Sequence, residues 1–229
     1  MTPKPEFALV GYGHAGRRHA QILARMGTLS ACADPDPVHA ADCASAFGCR
    51  AYASFDELLA GERAVDIAVI CSPNGLHAPQ AIAALDAGLH VVCEKPLALR
   101  ARDAEEVVAA SVRSRKHVFV VKQHRFNPAV VALRQLIAEG LLGQIHSVQV
   151  NCYWHRPAEY FRGTWHQDPQ MDGGILFTQF SHFMDILYWY FGSMRVLHAH
   201  CVHADPSKSV AREDQGIVHM ELGDGVMGA

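Results

Sequence analysis

Gly11-Tyr12-Gly13-His14-Ala15-Gly16 is the first run in the chain whose residue types and spacing carry chemistry. It directly follows the apolar stretch Phe7–Val10 and opens a helical pattern, the setting in which spaced glycines cradle a diphosphate. Gly11 permits the tight turn, Gly13 lets the backbone approach a pyrophosphate, and Gly16 lets the helix pack close to the strand. The amides and dipole of the helix start then attract the anion. Asp34 follows the next apolar stretch, at the place where a carboxylate accepts hydrogen bonds from both adenine-ribose hydroxyls. Its charge repels a ribose phosphate, and no arginine or lysine follows closely, so the pattern favours NAD over NADP. Ser72-Pro73-Asn74-Gly75-Leu76-His77 reads equally as a ligand loop or as a capped turn. Glu94-Lys95-Pro96 follows another apolar stretch; a lysine beside a nicotinamide hydrogen-bonds a substrate hydroxyl, whereas most lysines are simply solvated. Farther along, Thr178, His182 and Asp185 are spaced i, i+4, i+7 and share one face of a single predicted helix, Gly174 to Phe191. A histidine, with an ordinary pKa of about 6.5, suits proton acceptance from a hydroxyl near neutral pH.

The elements that must position these groups alternate. Phe7–Val10, Thr28–Ala33, Val65–Cys71, Leu89–Cys93 and His117–Val121 are short and almost continuously apolar, as strands covered on both faces require. Helical patterns over Ala15–Met26, Pro37–Phe47 and Ala78–Ala87 lie between them, each followed by a glycine that accepts a left-handed stop. The pattern predicts βαβ units and a parallel, doubly wound α/β sheet over residues 1–122. Residues 123–229 read differently. Asn127–Pro128 opens a helix predicted to reach Leu141, and Ile145–Trp154 is predicted to be a long strand. The loop His155 to Asp172 and the Gly174–Phe191 helix follow. Two more strands, Arg195–His203 and Gly216–Leu222, and a Gly223-Asp224-Gly225 turn close the chain. That is an α+β domain on a largely antiparallel open sheet; the chain ends at Gly228–Ala229 just as a strand after the turn begins, so the domain is expected to be incomplete at the C terminus.

Composition narrows the function classes. The chain has 229 residues, half of them hydrophobic, with a formal net charge of −3. The first 122 residues carry 13 basic and 13 acidic side chains and the remainder 7 and 10, so neither part has the positive excess that neutralising a nucleic acid requires. No apolar run is long enough to span a membrane, and the start lacks a signal-peptide core; a cytoplasmic protein is expected. The seven cysteines have no paired spacing, which points to buried thiols in a reducing compartment and to no metal site.

Taken together, Gly11-x-Gly13-x-x-Gly16, Asp34, Ser72-Pro73-Asn74-x-x-His77, Cys93-Glu94-Lys95-Pro96, and Gly173-Gly174 followed by His182-x-x-Asp185 resemble the glucose–fructose oxidoreductase, inositol dehydrogenase and rhizopine-catabolism (Gfo/Idh/MocA) family. The resemblance implies a Rossmann domain and a C-terminal domain whose open sheet serves homo-oligomerisation. It implies NAD- or NADP-dependent oxidation or reduction of a carbon of a sugar, cyclitol or sugar nucleotide. It also implies a cis Lys95–Pro96 bond, with Lys95 and His182 catalytic. Many members carry an aspartate four residues before this histidine; here Thr178 stands, which is similar to the sugar-nucleotide dehydrogenases of the family.

The cofactor side is then expected to comprise Gly11, Tyr12, Gly13, His14, Ala15, Gly16, Asp34, Ser72, Pro73, Asn74, His77, Glu94, Lys95 and Gln123. Thr178, Arg125, Asn127, Arg156 and Trp165 are expected on the substrate side. Arg125 suits an anionic group, and Trp154, Arg156 and Trp165 suit stacking on rings, although the same residues read equally as a surface loop with packed aromatics. Two rival functions use the same residues: a non-catalytic dinucleotide-binding partner subunit, and a glycoside-cleaving enzyme that recycles its NAD.

Overall fold

A computed structural model describes residues 4–203, 213–223 and 225–229. The chain divides into two compact units, Met1–Val121 and Lys122–Ala229.

In the first unit, strands β1 (Glu6–Val10), β2 (Thr28–Ala33), β3 (Arg50–Tyr52), β4 (Ile67–Ile70), β5 (His90–Cys93) and β6 (Val118–Val120) form one sheet in the order β3-β2-β1-β4-β5-β6. Every pairing is parallel. Helices α1 (His14–Met26), α2 (Pro37–Phe47), α3 (Phe55–Gly61), α4 (His77–Asp86) and α5 (Ala101–Ser114) connect them. The period-two alternation of β1 sorts its side chains onto two faces. Phe7 and Leu9 join Ala20, Leu23, Leu29, Cys32 and Cys43 in one buried cluster. Ala8 and Val10 join Leu58, Ile70, Leu85, Val91 and Val107 in the other. Two covered faces explain why these strands read as unbroken apolar runs.

Sequence patterns left β3, α3 and α5 unassigned. β3 has only three residues, all at least partly exposed. α3 is set by Ser54, whose side chain accepts from the Glu57 amide, an N-cap that a seven-residue helix hides from periodicity. Gly48 and Gly88 take the left-handed conformation expected of them, but Gly27 does not: its φ is −166°, and it is small because a Cβ there would lie 2.2 Å from the Pro5 carbonyl oxygen.

The second unit begins with α6 (Pro128–Ala138), capped by the Asn127 side chain on the Ala129 amide. The helix stops three residues before the expected Leu141, with left-handed glycines at 140 and 143. β7 (Ser147–Val148) replaces the predicted Ile145–Trp154 strand. Its partner β10 (Val226–Gly228) offers three residues, and the ladder ends where the Val150 amide bonds the Ala229 carbonyl. Alternating residue types without backbone partners do not make a strand. Short helices α7 (Ala158–Phe161) and α8 (Pro169–Asp172) interrupt the expected loop.

The predicted Gly174–Phe191 helix is two helices, α9 (Ile175–Thr178) and α10 (Ser181–Phe191). At the junction the Phe180 amide reaches back five residues to Ile175 and the His182 amide only three to Gln179. The regular four-residue ladder is interrupted there, although Gln179 and Phe180 keep right-handed helical angles; Thr178 stands on α9 and His182 and Asp185 on α10.

β8 (Met194–Val202) and β9 (Gln215–Leu222) complete a sheet ordered β7-β10-β9-β8, antiparallel except at β10–β7. β10 begins directly after the expected turn, where the sequence pattern places the start of a strand; Asp224, the middle of that turn, lies outside the described residues. Leu187 of α10 packs with Met220 and Leu222 of β9 in the core of this unit.

The tightest contact of the first unit generates a test. A Cβ on Gly16 would lie 2.0 Å from the Gly11 carbonyl oxygen, backbone that cannot yield. Gly16→Ala is expected to destabilise the protein by about 1–3 kcal/mol, the usual cost of overpacking, read from urea unfolding midpoints.

Candidate functional site

The sheet of the first unit changes direction at β1: β2 and β3 lie to one side, β4 to β6 to the other. The carboxyl ends of β1 and β4 therefore flank a switch point, where open α/β sheets bind ligands. The Gly11–Gly16 turn leaves β1 there, and the Ser72–His77 turn follows β4. Gly11 has φ +88° and its absent Cβ would meet the Cys71 carbonyl oxygen at 2.8 Å. Gly13, the N-cap of α1, has nothing within 4 Å of where its Cβ would be, and no side chain caps the helix. The first turn of α1 carries no acidic residue. Open space above uncapped amides is what a diphosphate requires.

Asp34 sits at the end of β2 and is only 7% exposed. One carboxylate oxygen accepts from the Tyr12 amide at 2.7 Å, the other from the Asp36 amide at 2.9 Å. The carboxylate thereby ties the glycine turn to the start of α2. Each oxygen keeps an acceptor direction for a ribose hydroxyl. These residues fit a dinucleotide: a glycine turn, an uncapped helix start and a carboxylate with free acceptor directions stand in one unit.

Glu94 and Lys95 follow β5. The Glu94 carboxylate faces the His19 ring at 2.9 Å and accepts from the Lys95 amide at 3.2 Å. Burial pushes the Glu94 carboxyl up, but the bond and charge of His19 and the Lys95 contacts outweigh it and hold the group below the usual carboxylate range. The Lys95–Pro96 bond is cis. His77, 1% exposed, spans from the Pro96 carbonyl (2.6 Å, Nδ1) to the Ser72 carbonyl (2.8 Å, Nε2) and so ties the two loops. Burial pulls His77 below its ordinary pKa, against the pull of those two carbonyls. Ser72 bonds Gln80 and Asn74 is buried; both are built into the turn, but neither caps α4, whose N-cap is Leu76 with no side-chain cap.

In the second unit His182 is buried and its ring stacks on His124, centroids 4.2 Å apart and planes 13° apart. Three residues on, Asp185 takes both Arg125 nitrogens at 2.6 and 2.7 Å and lies 3.8 Å from the Lys122 ammonium. Arg125, expected to hold an anionic substrate group, is thus committed to Asp185, which raises its pKa. Burial drives the Lys122 ammonium below its usual value although Asp185 opposes it. Gln123 is exposed, and Asn127 serves as the cap of α6. The Thr178 hydroxyl donates to the Gly174 carbonyl at 3.0 Å. Gly174 itself has φ +90°, with the Glu213 carboxylate packed where a Cβ would stand. Arg156 lies over the rings of Trp154 and Tyr160, and Trp165 leans on His166. The predicted stacking residues therefore stack on each other.

A family model described as an oxidoreductase family with an NAD-binding Rossmann fold matches residues 6–122, and the GFO/IDH/MocA C-terminal domain model matches residues 130–229. The chain belongs to the GFO/IDH/MocA oxidoreductase family. Among family relatives, the inositol 2-dehydrogenase of Leifsonia xyli is 35% identical over 63% of this chain and 43% of its own length. The UDP-N-acetylglucosamine 3-dehydrogenase of Acidithiobacillus ferrooxidans is 35% identical over 56% of this chain and 40% of its own length. The chain thus spans less than half of either relative's length in these matches. The WlbA dehydrogenase of Bordetella pertussis, solved in complex with NADH and UDP-GlcNAcA, superposes with a TM-score of 0.94 at 33% identity, covering all of this chain and 66% of that one.

Within this GFO/IDH/MocA frame, some contacts escaped the sequence patterns. His19, the partner of Glu94, lies 75 residues away; its one signal is a place three residues after Gly16 on the buried side of α1. His124 precedes Arg125 in an irregular turn and carries no periodic signal. Neither does His166, which pairs with Asp172 across the Pro169 break.

Gly13 and Asp34 generate separable expectations. Gly13→Ala should cost under about 1 kcal/mol of stability, since a helix N-cap is all it alters, yet weaken NAD binding, measured by calorimetry. Asp34→Ala should narrow the preference for NAD over NADP and also lose about 1–3 kcal/mol of stability, because two amides lose their charged acceptor.

Proposed function

We propose that the protein is an NAD-dependent dehydrogenase acting on a secondary alcohol of a sugar, cyclitol or sugar nucleotide. The cradle at the β1 switch point, with Asp34 tied to its turn, is the observation that carries this reading. Bound NAD supplies hydride acceptance from the carbon that bears the hydroxyl. The turn that Gly11 and Gly16 pack into place would hold the diphosphate at Gly13 and the start of α1, and Asp34 would accept from the ribose hydroxyls. Lys95 donates a hydrogen bond to the substrate oxygen and stabilises its developing negative charge. His182 accepts the hydroxyl proton, a task worth about 10²–10⁴ in rate for a positioned base. Thr178 cannot act as a carboxylate base, and its hydroxyl already donates within its own helix; proton acceptance falls to the histidine. The superposition on a WlbA dehydrogenase and the likeness to a UDP-N-acetylglucosamine 3-dehydrogenase support the sugar-nucleotide branch of this reading.

No helix of the described residues is long and apolar enough to cross a membrane. We place the enzyme in the cytoplasm, in line with its cysteines, which are all free thiols. We also propose a homo-oligomer built on the sheet of the second unit. β8 is exposed along seven of its nine residues, and Val196, Leu197, Ile217 and Met227 leave apolar surface on β8, β9 and β10.

NADH absorbance over a panel of sugars, cyclitols and sugar nucleotides tests the activity. Lys95→Ala and His182→Ala should each lose most turnover, about a hundredfold or more, with NAD affinity preserved within a few-fold. Near-full activity in either variant would remove that residue from the chemistry. Light scattering at micromolar concentration should give a multiple of 25.1 kDa; a soluble monomer would refute the assembly.

A further inference from the structure

We infer that His166, oriented by Asp172, is a substrate-binding residue that receives a hydroxyl of a ring-shaped polyol; the inference rests on the sugar-dehydrogenase reading above. The His166 Nδ1 lies 2.6 Å from one oxygen of Asp172. The other oxygen of Asp172 accepts the Gly174 amide at 3.0 Å, and Asp172 is only 8% exposed. A buried carboxylate anchored in this way is an acceptor, so Nδ1 carries the hydrogen. In the neutral ring Nε2 is then the acceptor. This is the division of labour by which a carboxylate fixes the tautomer of a working histidine.

Packing holds the ring as firmly as the carboxylate does. Tyr160 stacks on it at 4.2 Å and 25°, Trp165 leans on it at 3.7 Å, and Phe161 meets it edge-on at 6.4 Å. Arg156 lies over Tyr160 at 4.7 Å and over Trp154 at 5.0 Å. Among the described residues no hydrogen bond is made by Nε2. A directed acceptor within a cluster of aromatic faces and a guanidinium suits a ligand with both hydroxyls and apolar C–H faces. The dyad also sits at the head of the segment that leads through Gly173 and Gly174 into α9, so its order is coupled to that of Thr178. A filler of the aromatic stack needs neither a carboxylate partner nor an outward nitrogen, and that difference is measurable.

His166→Phe keeps the stack and deletes the acceptor; Asp172→Asn replaces the carboxylate with an amide that no longer enforces the Nδ1–H form. Both are assayed with myo-inositol, glucose and UDP-N-acetylglucosamine, alongside thermal melting and NAD titration. On any substrate the unmodified protein turns over, His166→Phe should raise KM about tenfold, the loss of one or two hydrogen-bond increments. Turnover number should change much less, and NAD affinity and melting temperature should stay near the unmodified values. Asp172→Asn should move KM in the same direction, and long-range ¹H–¹⁵N spectra should show the Nδ1–H tautomer of His166 in the unmodified protein only. Undiminished kcat/KM in His166→Phe would overturn the inference and leave the dehydrogenase reading intact, as would an Nε2–H tautomer. Absence of turnover by the unmodified protein across the panel would overturn that reading and this inference with it.

Discussion

Backbone meets backbone where β1 hands over to α1, and the first unit is organised around that contact. The Gly11 carbonyl lies so close to Gly16 that no side chain fits, and Gly11 itself stands against the Cys71 carbonyl at the end of β4. Two strands and a helix converge there without a side chain between them. The same closeness lets the sheet reverse its order at β1 and leaves the start of α1 facing open space. Burial on both sheet faces, by Leu9 on one and Ile70 on the other, then fixes the strands that carry Asp34 and Lys95. One turn thus holds a contact too close for any side chain, at Gly16, next to open space, at Gly13.

The second unit solves a different problem. Its histidine, His182, stands on a helix that starts after a break, and the 122–125 segment packs against that helix twice: His124 stacks on His182, and Arg125 and Lys122 pair with Asp185. The break between Thr178 and Ser181 divides a single amphipathic pattern into two short helices. A strongly apolar helix with one carboxylate, Asp185, is thereby anchored through ion pairs as well as through its apolar face. Asp185 holds two cations at once, and their mutual repulsion is answered by that single carboxylate.

How much of this was legible in the sequence follows from which forces were local. The parallel strands were legible because both faces are buried, so apolar content alone marks them. The places of the glycine turn after β1 and of Asp34 after β2 were legible because spacing and chain order set them directly. β3 and α3 were not, being too short for any period to register. Ile145–Trp154 has the alternation of a strand, but strand formation is decided by a partner's backbone, which sequence alternation does not report. The break at Gln179 was hidden because every residue around it tolerates a helix; hydrogen-bond register, not propensity, ends α9. The dyad of His166 and Asp172 and the pairing of Arg125 with Asp185 are contacts across turns, set by tertiary geometry that residue types alone leave open.

The two bonds that Asp34 makes to the Tyr12 and Asp36 amides bear on redesign of coenzyme choice. The usual recipe swaps such an acid for a small neutral residue and adds an arginine nearby. Here the swap would also unfasten the phosphate turn from the loop that starts α2, so the two loops would lose their common anchor. A variant meant to accept a phosphorylated ribose must also supply new acceptors for both amides, and a library that varies position 34 alone changes coenzyme preference only together with a weakened turn.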